Sequence, residues 1–319
     1  MRYKFSVVLL LSLVFISVKS FAQGSFKNEF GFKTDNDAYL FYGQDRYYTN
    51  GLMLYFRHAT DQNKLGEKLE KFTYEITAGQ KMFNPQGGNV PNVAFHDRPF
   101  AGYLYAGASA NFFYKKESIL KTSIELGTVG PRSLGEDAQK LLHRVVGFYP
   151  IEGWEYQIKN EYTANLSLQY TRLLHRSEQD RIDFSVEGYL NAGTTFNGAG
   201  LGILMRTGNI NQLFQTAYTN STIGTRLKSA KLVTSETFFY AKPQINYVAY
   251  DATIQGSLFK NNSPVTFETK PIVFAQQIGF NYSSQRFTFD FGLLFKTKEV
   301  KSVAKAHQYG TIAMFYRFN

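Results

Sequence analysis

The chain has 319 residues, no cysteine, a formal charge of +10, and 17% aromatic residues, with 30 Phe and 22 Tyr against one Trp. Without cysteine a disulfide-held secreted scaffold is excluded. The cations are scattered along the chain rather than clustered, which argues against a nucleic-acid surface. The aromatic content exceeds what one soluble core needs and suits rings facing lipid and headgroups; an aromatic-rich soluble sandwich is the alternative.

Arg2 and Lys4 precede an apolar stretch from Val7 to Val18, and Ser20-Phe21-Ala22 supplies small residues where a signal peptidase reads. Residues 1–22 are therefore expected to be a cleaved export signal, leaving 23–319 as one domain that begins near Gln23. Losing Arg2, Lys4 and Lys19 takes the formal charge from +10 to +7. The apolar run is too short for a spanning helix, and no other run reaches its length.

After the leader the pattern has a period of two. Phe287, Phe289, Phe291, Leu293 and Phe295 alternate with Thr288, Asp290 and Gly292, and Leu120, Thr122, Ile124 and Leu126 alternate with Lys121, Ser123 and Glu125. Charged residues on the second face would be costly in a soluble core and are expected in a polar barrel lumen. Such runs fall near 26–34, 47–59, 71–82, 101–115, 118–129, 158–174, 181–194, 198–208, 236–256, 265–283, 285–299 and 305–318. The expected fold is thus all-β, a closed antiparallel transmembrane β-barrel of about 12 strands, an even number as bacterial barrels of this kind require. The connections 115–118 and 175–180 are tight, whereas 35–46, 83–100 and 130–157 are long. Tight turns belong to the periplasmic side and long loops to the outside. Segment 209–235 breaks that rule, which predicts either that the eighth and ninth strands extend into it or that the strand count is off by two.

Within 130–157 the period changes. Ser133-Leu134-Gly135-Glu136 fits a capping box, Ala138, Leu141, Leu142 and Val145 form an apolar stripe, and Gly147 ends the run, so a short helix is predicted across the barrel mouth. Gln139 and His143, four apart, share one face of it.

Polar residues gather at this same rim. Asp35, Asn36 and Asp37 stand at the top of the first strand, and Thr49 starts the second beside it. Their hard oxygen donors suit Ca²⁺, although Asp-Asn-Asp is also an ordinary polar turn. With no Cys and no His cluster, structural zinc is not expected. Asp97-Arg98-Pro99-Phe100-Ala101-Gly102 opens the fourth strand, where Arg98 either holds a phosphate or pairs with Asp97. Arg46, Asp97 and Arg98 are the candidates for substrate contact. There is no Gly-x-Ser-x-Gly elbow, and Ser133 lies ten residues before His143, better placed as a helix cap than as a nucleophile. His143 with a bound cation would suffice for ester hydrolysis by water. His58, His96, His175 and His307 are weaker candidates as bases, His96 being of interest beside Asp97.

Taken together, Asp35-Asn36-Asp37, Tyr48-Thr49-Asn50-Gly51, Asp97-Arg98-Pro99-Phe100-Ala101-Gly102, Gly130-Pro131, Gln139 with His143, and Gly153-Trp154 with Gln157 resemble the outer-membrane lipid A 3′-O-deacylase family. Their order and spacing match along the first half, and from about 175 onward the likeness is that of barrel strands. The resemblance implies a twelve-stranded barrel with a Ca²⁺-dependent esterase site between the wall and an outer-loop helix. On it, His143 is the general base, Gln139 helps position it, and Asn36, Asp37 and Thr49 build the site for Ca²⁺ and substrate. The implied partner is lipid A of lipopolysaccharide in the outer leaflet, met by a monomer in the bacterial outer membrane with its site facing outward. Where family members can carry basic residues after the third strand, this chain has Gly87-Gly88-Asn89-Val90-Pro91-Asn92. A passive porin and a non-catalytic barrel binding Ca²⁺ or lipopolysaccharide remain the alternatives from other classes.

Overall fold

A sheet in hydrocarbon must leave no main-chain group unpaired, so its first and last strands have to meet. In the computed structural model, which describes residues 26–40, 45–224, 233 and 235–319, they do. The strands are β1 (Asn28–Asn36), β2 (Tyr47–Ala59), β3 (Leu69–Asn84), β4 (Ala101–Tyr114), β5 (Ser118–Val129), β6 (Glu161–Arg176), β7 (Ile182–Gly193), β8 (Phe196–Asn209), β9 (Glu236–Asp251), β10 (Ile272–Ser283), β11 (Phe287–Lys296) and β12 (His307–Phe318). Each pairs antiparallel with its sequence neighbours, and β1 closes on β12 from Asn28↔Phe318 to Asn36↔Gly310. The expected leader, 1–22, lies outside the described residues.

Several strand ends differ from the expected ones, most of all in β9, β10 and β11. β9 stops at Asp251, whose carboxylate accepts from the Thr253 amide and starts the helical turn α2 (Ala252–Gln255). β10 begins only at Ile272, and β11 is bounded by a tight turn in which the Ser284 amide donates to the Phe287 carbonyl at 2.8 Å.

Alternation sets the two faces. Exposed Phe30, Leu52, Leu54, Ile76, Leu104 and Leu126 form part of the outward band. Aromatics stand near both rims, with Tyr162, Tyr247, Phe274 and Phe295 towards the long loops and Phe184, Phe239, Tyr282, Phe287 and Tyr316 towards the chain ends. The inward face is charged. Arg57 donates to Glu29 at 2.7 Å and pairs with Glu75, which also accepts from Lys121 at 2.7 Å; Arg317 reaches Glu29 at 3.2 Å. Arg206 and Arg176 clasp Asp183 between β6, β7 and β8.

Segment 209–235 does neither of the two things expected of it. β8 ends at Asn209, β9 starts at Glu236, and the count stays at twelve. Residues 210–224 instead fold back into the barrel end where β1 starts and β12 ends. Leu213 and Phe214 pack on Phe113 and Ile119, Ile210 on Leu204 and Phe238, and Ile223 on Phe26 and Ala59. Glu236 accepts from the Asn211 and Ala217 amides, Glu117 from the Leu213 amide, and Lys71 donates to Gln215 at 2.9 Å. Above this infill the lumen keeps cavities of about 280 and about 430 Å³.

The predicted helix is present as α1 (Gly135–Val146), ended by Gly147 at φ 74°. It lies against the outer wall rather than across the mouth. Gly102 and Gly135 approach so closely that a Cβ on either would sit about 3 Å from the other's Cα, and Gln80 donates to the Ser133 carbonyl at 2.6 Å. The capping box does not form. Ser133 is drawn to the wall and donates to the Gly130 carbonyl at 2.6 Å, which leaves Leu134, at φ 57°, as the N-cap without a side-chain bond. Ala138 joins the buried cluster of Met82, Phe100, Ile151 and Trp154, while Leu141 and Val145 of the expected apolar stripe face outward, exposed.

Arg57 is enclosed by two carboxylates in the lumen, and removing it leaves both short of a partner. Arg57→Met is expected to lower barrel stability by roughly 3 kcal/mol, read as an earlier loss of heat-dependent gel mobility in a urea series.

Candidate active site

Three local devices bring the site together on the outward side of the wall. At the top of β1 the alternation turns Asp35 inward, where it accepts from Tyr48 and Thr311 at 2.7 Å, and Asn36 outward. Asn36 then accepts from the Ala38 amide at 2.7 Å and turns the chain into a short helical turn, Asp37–Leu40. In β2 the register against β3 shifts between Tyr48 and Asn50, so Thr49 is the extra residue of a bulge. Bulges re-aim side chains beside active sites, and here the Thr49 hydroxyl meets Asp37 Oδ1 at 3.2 Å and Asp45 Oδ1. The third device is α1, which buries Gln139 and His143 against these groups.

Asp45 is the hub. Its Oδ2 accepts from Gln139 Nε2 at 3.1 Å and Tyr149 Oη at 2.9 Å, and lies 2.9 Å from His143 Nε2. Nδ1 of His143 faces the Tyr149 carbonyl at 2.9 Å, so that nitrogen carries the hydrogen and Nε2 is the one directed at Asp45 and the cavity. Gln139 is itself fixed, because Trp154 Nε1 donates to its Oε1 at 2.9 Å. Gly88, from the segment after β3, closes over the cluster; a Cβ there would stand 2.5 Å from Asp45 Oδ2. The resulting cavity, about 310 Å³, lies between Asn36, Asp37 and Asp45 of the wall and Leu142, His143 and Phe148 of the helix side.

Asp37 is buried beside Asp45 and receives the Arg46 amide at 2.8 Å. Burial, with Asp45 adding repulsion, pushes its carboxyl up to about 8. The Tyr149 phenol is also held above its ordinary value, by burial and then by Asp45. Two carboxylates joined through one hydroxyl, with a carboxamide alongside, match the hard, irregular donor set that suits Ca²⁺. Among the described residues no three His, Cys, Asp or Glu side chains are arranged to hold a metal. A cation here would depend on hydroxyl, carbonyl and water oxygens for the rest of its shell.

Of the residues singled out in the sequence, Asn36, Asp37, Thr49, Gln139 and His143 converge. Arg46 contributes its amide, its guanidinium lying 5.6 Å from the Tyr47 ring. Asp97 and Arg98 do not line this cavity. Asp97 accepts from Tyr47 Oη at 2.9 Å; Arg98 turns into the lumen, donating to Thr253 at 2.8 Å over the Phe83 ring. Residues 97–100 precede β4 and lie outside its alternation, so Phe100 can enter the Trp154 cluster while Arg98, two residues earlier, turns towards the interior. His96 is equally structural, its Nε2 being held at 2.8 Å by the Val90 carbonyl. Sequence reasoning missed Asp45 as the hub, Tyr149 and Trp154. A usable signal existed for Trp154, since a lone buried indole needs an acceptor; the Tyr149 carbonyl left none.

A closed twelve-stranded barrel with an apolar outward band and aromatics near both rims defines the class as an outer-membrane β-barrel, here with a carboxylate, carboxamide and imidazole cluster on the outer face of its wall. Residues 7–318 match the family described as Outer membrane protein LpxR, and the chain belongs to that family. Its fold is similar to that of LpxR from Salmonella typhimurium, at 21% identity over 91% of this chain and 100% of that one, with a TM-score of 0.74. The β domain of the Bordetella autotransporter BrkA overlaps more loosely, at 10% identity, 92% and 99% coverage and a TM-score of 0.48, and carries no argument. No curated protein matches the chain in sequence.

Because Asp37 holds its proton to about 8 in the folded protein, against 3.8 ordinarily, folding takes up a proton between those values. The metal-free protein is therefore expected to lose stability as pH rises from about 4 to about 8, and Asp37→Asn to flatten that slope. Thermal unfolding in chelator across that range would show it.

Proposed function

We propose that this protein is a Ca²⁺-dependent outer-membrane esterase that removes the 3′-O-linked acyl chain of lipid A by water attack. The observation that carries the reading is the His143–Asp45–Asp37 cluster in a cavity on the outward wall, where an acyl ester in a leaflet can reach it. The motifs resembling the lipid A 3′-O-deacylase family supply the substrate class.

In this mechanism His143 accepts the proton of the attacking water at Nε2, while Nδ1–H remains on the Tyr149 carbonyl and fixes ring and tautomer. Gln139 and Tyr149 hold Asp45 in place, and Trp154 holds Gln139, so the water's neighbours are set before substrate arrives. Asp37, Asp45, Thr49 and Asn36 would hold Ca²⁺. When bound, the cation supplies positive charge for the oxyanion that develops on the ester carbonyl. Asn50, on the outward side of β2, lines the floor on which the acyl ester lies. The returned proton leaves with the sugar hydroxyl, so one ester and one water give one alcohol and one fatty acid. The helix-side loops are read as outward, with the site in the outer leaflet.

The cross-braced lumen and the infilled terminal end weigh against the passive pore. Lipid A from cells making the wild type is expected to lose one ester-linked acyl unit by mass. His143→Ala is expected to reduce the rate about 10²–10⁴-fold, and Asp37→Ala or chelator to remove the Ca²⁺ response. Unchanged lipid A with a folded wild-type barrel would overturn the substrate, and steady bilayer conductance would restore the porin reading.

A further inference from the structure

The helix that closes the site is built inside out for a helix in water. Its polar pair, Gln139 and His143, is buried against the wall, while its large aliphatic side chains point away from the protein. Val145 is 75% exposed, Leu141 58%, and Phe148, just past the helix end, 56%. Fully burying each such side chain is worth about 1.5–3 kcal/mol, so a helix left this way round in water would forgo several of them. Lys140, paired with Glu136 at 2.5 Å, and Arg144 run along one flank between the buried and the apolar faces, so the charges are confined to the sides of the helix and leave the apolar face free of them.

The position of α1 names the occupant of that face. It rests on the outward side of β4 at Gly102, and the next outward residue down that strand is the exposed Leu104 of the lipid-facing band. Arg132, three residues before the helix, donates to Tyr162 of the loop-side aromatic girdle at 2.7 Å. The apolar face therefore continues a surface already in contact with lipid, at the depth where aromatics mark the interface.

We propose that α1 and Phe148 form a lip inserted into the acyl region of the leaflet at the loop end, with a lipid surface as its partner, so that the site is entered sideways from the membrane. This does not rest on the hydrolytic reading.

The cysteine-free chain allows a direct test. Val145→Cys and Leu141→Cys are labelled with an environment-sensitive fluorophore in the full-length barrel, reconstituted in phosphatidylcholine and phosphatidylglycerol vesicles. Leu104→Cys serves as the lipid-facing reference and Asn262→Cys as the exposed loop reference, with folding checked by gel mobility. Blue-shifted emission, quenched by lipid spin-labelled in the acyl chain as at Leu104 and unaffected by iodide, is the expected result at both helix positions. Iodide quenching as at Asn262 would overturn the proposal. So would protection from both quenchers together with disulfide cross-linking of unlabelled Val145→Cys, which would make the occupant a second copy of the chain.

Discussion

The antiparallel closure of β1 on β12 is the constraint from which the remaining structure follows. Hydrocarbon offers no partner for a free strand edge, so the sheet must return to its own beginning, and an even count brings both chain ends to one rim. Closure also fixes phase. Once Asp35 is committed to Thr311 inside the lumen, Asn36 must face out, and the turn that follows carries Asp37 to the outer wall. The polar cluster is therefore placed on the outer face of the wall by the same hydrogen bonds that seal the barrel.

A regular wall would give that side only apolar residues, and each polar member of the site is there through a departure from regularity. The bulge at Thr49 turns a hydroxyl out of strand phase, the glycine pair at 102 and 135 lets a helix approach the wall, and the unswept space above Gly88 leaves room for the Asp45 carboxylate. Asp45 joins the two halves, since wall and helix meet at its oxygens. The buried charges of the lumen do different work. They tie strands 1, 2, 3, 5, 6, 7 and 8 across the interior while 210–224 fills the end.

Much of this was legible in the sequence because barrels write their two faces in a period of two. Twelve strands, the helix and the convergence of Asn36, Asp37, Thr49, Gln139 and His143 all follow from alternation, one change of period and the position of polar residues at strand tops. What failed was geometry that depends on partners far away in the chain. Ser133 reads as a cap until Gln80, on a distant strand, holds its carbonyl at the wall in the space that Gly102 leaves. Arg98 reads as a phosphate ligand until Thr253 and the Phe83 ring, both distant in the chain, hold it inside the lumen. Segment 209–235 reads as an anomaly because no local pattern says that residues 210–224 will fold back among Phe113, Leu204 and Ala59.

Asp35 and Asn36 are consecutive residues that serve opposite sides of the wall, one bracing the interior and the other shaping the site. A slip of β1 by one residue against its neighbours would exchange them, along with every side chain of the strand. Such a barrel would still be closed and hydrogen-bonded, yet would carry a carboxylate into lipid and leave a carboxamide in place of the lumenal acid. For this protein, register is thus as consequential as closure, since it decides which of two consecutive side chains faces out.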